Sequence, residues 1–154
     1  MKRGSTLLLK FVIGLIGLAV LAFAVLVLPR GIAAEDAGMY REILIGMYFP
    51  AVPFSIALYQ AFKLLSNIDQ NQAFSASSVN TLKNIKYCGI AISILYAAGM
   101  PYIFYVADKD DAPGAILIGL VIIFASFVVA TFAAVLQILI QNAVDLKSEN
   151  DLTV

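Results

Sequence analysis

Charged residues punctuate this chain instead of spreading along it. Between Phe11 and Leu28, Ile43 and Phe62, Tyr87 and Ala107, and Ala112 and Val144 there is no Lys, Arg, Asp or Glu. These runs of 18, 20, 21 and 33 residues are apolar on every side. A surface helix of a soluble protein would carry a polar stripe, and a membrane barrel strand would alternate apolar and polar positions over about ten residues. About 20 helical residues cross a hydrocarbon core of about 30 Å, and a helix bonds its own backbone where there is no water to do so. The pattern predicts an all-α membrane protein with four transmembrane helices, over roughly 7–28, 43–65, 87–107 and 115–141. Together they form one domain spanning residues 1–154.

Between the second and third spans lies the polar passage "NQAFSASSVNTLKNIKY", residues 71–87. Ser75 is placed to cap a helix, with Phe74 before it and Val79 at the fourth helical position, the spacing of a hydrophobic staple. Val79, Leu82 and Ile85 then recur every three residues, with Asn80, Thr81, Lys83 and Asn84 off that stripe. Within the connection 66–86 this predicts a short amphipathic helix lying at the membrane interface, its apolar stripe among the headgroups. The plainer alternative is a tight entry into the third span. The fourth run is longer than one crossing needs. Residues 115–144 would extend about 45 Å at 1.5 Å per residue, against a core of about 30 Å. Either it tilts strongly or its last turns leave the membrane as a helix; Gln137, Gln141 and Asn142 at its end favour emergence, continuing into a frayed tail, 142–154.

Packing in lipid relies on small residues that let backbones approach. Gly89, Ser93 and Ala97 in the third span and Ser126, Ala130 and Ala134 in the fourth repeat every four residues, and are the candidate contact surface of an antiparallel hairpin. Gly14, Gly17, Ala51 and Ser55 are weaker candidates in the first two spans. Pro50 and Pro53 remove backbone donors and predict a kink near the middle of the second. Pro29-Arg30-Gly31 suggests a turn after the first. In "DKDDAP", Asp110 or Asp111 is expected to cap the fourth helix, with Pro113 in its first turn.

Composition agrees: 62 % of residues are apolar and 13 % charged, against about 45–50 % and 25 % in soluble domains. Lys2 and Arg3 precede an apolar stretch longer than the roughly 7–15 residues of a signal-peptide core, so the first run is read as a retained helix. Four spans put both termini on one side, with Lys2, Arg3, Lys10, Lys63, Lys83, Lys86 and Lys147; Arg30, Arg41 and Lys109 fall on the other. Basic loops stay in the cytoplasm, so both termini should face the cytoplasm. Glu35, Asp36, Glu42, Asp108, Asp110 and Asp111 should face outward.

The chemistry is sparse. There is no histidine, and Cys88 is the only cysteine. The charged side chains within the stated spans, Lys10 and Lys63, lie at helix ends and none lies deep in a span, which disfavours an ion-coupled transporter. Hydrolase elbows, phosphate loops and zinc motifs are absent. The zero formal net charge gives no basic patch for direct nucleic-acid binding, and no cofactor or metal is expected. Asp108-Lys-Asp-Asp111 lacks the spacing of a calcium loop. The sequence therefore reads as a non-enzymatic protein whose partners are the lipid bilayer and other proteins, a second copy among them. The second reading is a transport, permeability or immunity-type protein with Pro50, Pro53, Tyr59 and Gln60 along its path.

"NQAFSASSVNTLKNIKYCGI" between the second and third spans, and "LQILIQNAVDLKSENDLTV" at the end, resemble a family of small bacterial four-helix integral membrane proteins of unknown function. Its members carry a Phe-Ser followed by an amphipathic stretch, and end in Asp-Leu-Thr-Val. They are often encoded beside a small helix-turn-helix protein of the Cro/repressor type. The resemblance implies a membrane protein that restrains or signals to a DNA-binding regulator in the cytoplasm. The candidate contacts are Phe74, Ser75, Val79, Leu82 and Ile85 in the connection, and Asp151, Leu152 and Val154 in the tail.

Overall fold

A computed structural model describes residues 3–35, 38 and 40–153; Lys2, Asp36 and Val154 lie outside the described residues. Among the described residues every regular element is helical, and four helices are long and apolar enough to cross a membrane. The first runs Gly4–Ala33, the second Tyr40–Asp69, the third Ala76–Asp110 and the fourth Gly114–Thr153. Only 6 to 17 % of the most apolar window of each is buried within the protein. Leu18, Val52, Phe124 and Phe132 stand more than 60 % uncovered. A soluble protein buries such side chains; here lipid takes the place of a core.

Each helix packs mainly on its neighbour in sequence, and the third and fourth form the most extensive contact. A Cβ added to Gly89 would lie 2.9 Å from the Ser126 carbonyl oxygen and 3.0 Å from the Ala130 Cβ, so glycine is required there. Ser93 Oγ donates to the Ile123 carbonyl at 3.2 Å, and Met100 Sδ fills the space above Gly119. These pairings fix an antiparallel register. Four of the six small residues of the two stripes sit at or beside the seam. Ala97 is exposed and Ala134 only partly covered, and Met100 and Ala133 are the buried residues at those levels. A four-residue step advances 400°, so two steps drift 80° off a helix face, while a seven-residue step drifts only about 20°.

The prolines act one turn before the ring. Ahead of Pro29 the first helix widens into a π turn, Phe23–Val27, with Leu28 N–H donating to the Phe23 carbonyl. The Ala24 carbonyl would then look to residue 29, which has no N–H. Tyr48 Oη donates to it instead at 2.7 Å, tying the second helix to the first. Residues 28–33 are helical, so the expected turn at Pro29 is instead two more turns of helix. In the second helix the interruption falls at Met47, four residues or fewer before Pro50, not at the middle. Pro53 is accommodated inside the helix.

Asp111 does not cap the fourth helix. It adopts φ 51° and ψ 48° and ends the third, with Ala112 N–H donating to the Ala107 carbonyl. Pro113 precedes the fourth helix, and its carbonyl accepts from Ile116 and Leu117 N–H. At this far end Arg41 donates to the carbonyls of Ile32 and Ala34, closing the end of the first helix.

Candidate functional site

The end of the molecule that carries the termini holds most of its polar organisation. The second helix runs through Asp69, so residues 66–69 belong to it and not to the connection. The chain then turns through Asn71, at φ 57°. Gln72 N–H donates to the Asn67 carbonyl at 2.7 Å. The Gln72 carbonyl in turn accepts from Ser75 Oγ at 2.6 Å and from Ser78 Oγ at 3.1 Å. Ser75 caps the third helix as its position predicted, accepting from Ser78 N–H at 3.3 Å. Asn67 is 7 % exposed, and its Nδ2 donates to Ser77 Oγ and Ser78 Oγ. A buried amide without partners would cost on the order of 1–3 kcal/mol; here it is bonded on both sides of the turn. The connection is a tightly bonded corner.

The amphipathic stretch is helical, but it is not a separate element lying on the membrane. Ala76–Asp110 is one unbroken helix, because no glycine or proline before Gly89 gives it a place to bend. Its stripe faces the protein, with Val79 8 % and Leu82 3 % exposed, Ser78 and Thr81 buried beside them, and Ile85 half-buried. Val79 and Leu82 therefore pack inside the protein. A hydrophobic staple would shelter Phe74, yet Phe74 is 63 % exposed. It stands out from the corner as its one large apolar surface residue.

The first helix docks on the same corner. Lys10 Nζ pairs with Asp69 Oδ2 at 2.8 Å and lies 5.3 Å from the Phe62 ring centre. Thr6, fully buried, donates from its hydroxyl to Asp69 Oδ1. Both charged side chains keep about a fifth of their surface uncovered, so each retains some hydration and the pair escapes the full desolvation cost of a dry one. Sequence reasoning found neither Asp69 nor Asn67. The partners of Asp69 lie 59 and 63 residues away on the first helix, and those of Asn67 lie across the turn on the third.

The tail is the other half of the site. Residues 142–153 are helical to Thr153 instead of frayed. With Gly89 level with Ala130, the antiparallel register puts the first turn of the third helix, at Ala76, beside roughly residue 143. The last ten or so residues of the fourth helix therefore project about 15 Å past its partner. Gln141 Nε2 donates to Asp145 Oδ1 at 3.0 Å, a one-turn link along the exposed side. Leu146 is 66 % and Leu152 85 % exposed, and Asp151 is exposed beside it. Among the described residues no group of three metal-ligating side chains comes together.

Residues 24–154 match a family described as a protein of unknown function, DUF2975. Over the whole of both chains the sequence is 55 % identical to an uncharacterized membrane protein, YoaS, of Bacillus subtilis (strain 168). No solved structure matches. Four membrane-length apolar helices, and likeness along the full length to a bacterial membrane protein, make this chain a member of the DUF2975 family of membrane proteins.

Proposed function

We infer that the protein is a non-enzymatic docking platform of the bacterial cytoplasmic membrane, with both termini in the cytoplasm. Its contact surface combines the projecting end of the fourth helix with Phe74 at the neighbouring corner. The partner is a cytoplasmic protein, and the family resemblance favours a small helix-turn-helix regulator that the membrane protein restrains or signals to. One observation carries this reading: a helix continues past its last packing partner with Leu146 and Leu152 uncovered. These turns continue a helix already nucleated in the membrane, and Leu146 and Leu152, about 120° apart on it, are apolar anchors that a cytoplasmic protein could cover.

The test is recovery of partners from solubilised membranes of a producing bacterium, with the intact chain, a chain lacking residues 146–154, and Phe74→Ala. The intact chain should recover a small DNA-binding protein. Truncation should abolish recovery and Phe74→Ala should weaken it. The same proteins recovered with all three would overturn the reading.

Passage of a solute along Pro50, Pro53, Tyr59 and Gln60 is the competing function. Tyr59 is 65 % exposed on the outside of the bundle, which argues against a path lined by it.

A further inference from the structure

The half of the bundle away from the termini is loosened by prolines, and the loosening leaves room. A cavity of about 280 Å³ lies between the second and third helices, lined by Gly46, Met47, Pro50, Tyr96 and Gly99, with Glu42 and Tyr102 at one end. A second, of about 370 Å³, adjoins it. Met47, Pro50 and Tyr96 line both, and the second reaches Phe54 and Ser126.

Two glycines in the lining keep this space wide. A Cβ built on Gly46 or Gly99 would meet nothing within 4 Å. Glycine inside a helix costs roughly 1 kcal/mol relative to alanine, and in lipid the usual compensation is close approach of another helix. No other helix approaches either residue, and a long side chain at Gly99 would enter the crevice. From Glu42 to Phe54 the second helix rises about 18 Å, close to the about 15 Å depth of one leaflet's hydrocarbon. The crevice has the length of a single alkyl chain.

Its polar end is acidic. Glu42 Oε2 accepts from Tyr102 Oη at 3.1 Å. The adjacent cation, Arg41, is turned to the carbonyls of Ile32 and Ala34. A carboxylate there favours a positive head and opposes a phosphate or carboxylate. We propose that the crevice binds a single-chain amphiphile with an ammonium head, its chain along Met47, Pro50 and Tyr96 and its head at Glu42. A two-chain phospholipid would bring its phosphate against the same carboxylate.

Cys88 is the only cysteine and is buried, so a thiol-reactive dye reports unfolding of the full chain in neutral-lipid nanodiscs. Dodecylamine, dodecanol and dodecanoate are compared as ligands. At tenfold its Kd, dodecylamine should raise the midpoint by about 4 °C, dodecanol should raise it less, and dodecanoate should not raise it. Gly99→Leu should abolish the amine shift whatever its own midpoint. Glu42→Gln should bring the amine down to the dodecanol value. Gly14→Leu, in an open site on the first helix outside both cavities, should keep the full shift. Equal shifts for all three head groups, or an amine shift that survives Gly99→Leu, would overturn the proposal.

Discussion

Two glycines ten residues apart on one helix have opposite roles, and their substitutions should separate them. At Gly89 a side chain meets the backbone of the fourth helix at 2.9 Å. Backbone cannot yield as a flexible side chain can, so Gly89→Val should cost about 2–4 kcal/mol through overpacking of the hairpin. Gly99→Ala, with nothing in its way, should stabilise by about 0.5–1 kcal/mol. Thermal midpoints read through Cys88 check both signs. Tyr48→Phe leaves the Ala24 carbonyl without a donor inside the membrane, and should destabilise by about 1 kcal/mol. An unchanged midpoint would mean another group satisfies that carbonyl.

The four membrane-length helices were legible in the sequence because hydrocarbon disfavours charge, which leaves four long charge-free runs. Helix breaks were less legible. A proline acts on the carbonyl one turn earlier, which is why the second helix yields at Met47 and the first at Phe23–Val27. The stripe Val79–Leu82–Ile85 was visible as an apolar face, but periodicity does not say whether lipid or protein covers it. The Ser75 cap was legible because capping is local; the Asn67–Ser77–Ser78 bonds were not, because they join separate helices. The cap gives a prediction at this scale. Ser75→Ala should cost about 1 kcal/mol, with faster amide exchange confined to the first turn, near Ser78 and Val79. Loss of protection spreading to Gly89 would show that the corner and the hairpin unfold as one unit.

At the scale of the molecule, the two ends differ in kind. The end with the termini is tied by the Asn67 network and by Lys10, Thr6 and Asp69. The far end is loosened by prolines and holds open space between helices. The tied end is suited to presenting a fixed surface, and the tail of the fourth helix rises from it. A photoreactive side chain placed at Leu152, and separately at Leu146, in living bacteria tests this most directly, with Leu120 within the span as the lipid-facing control. A discrete adduct with a small cytoplasmic protein is expected at both tail positions, and no protein adduct at Leu120. Tail positions that capture nothing, or only another copy of this chain, would contradict the docking role.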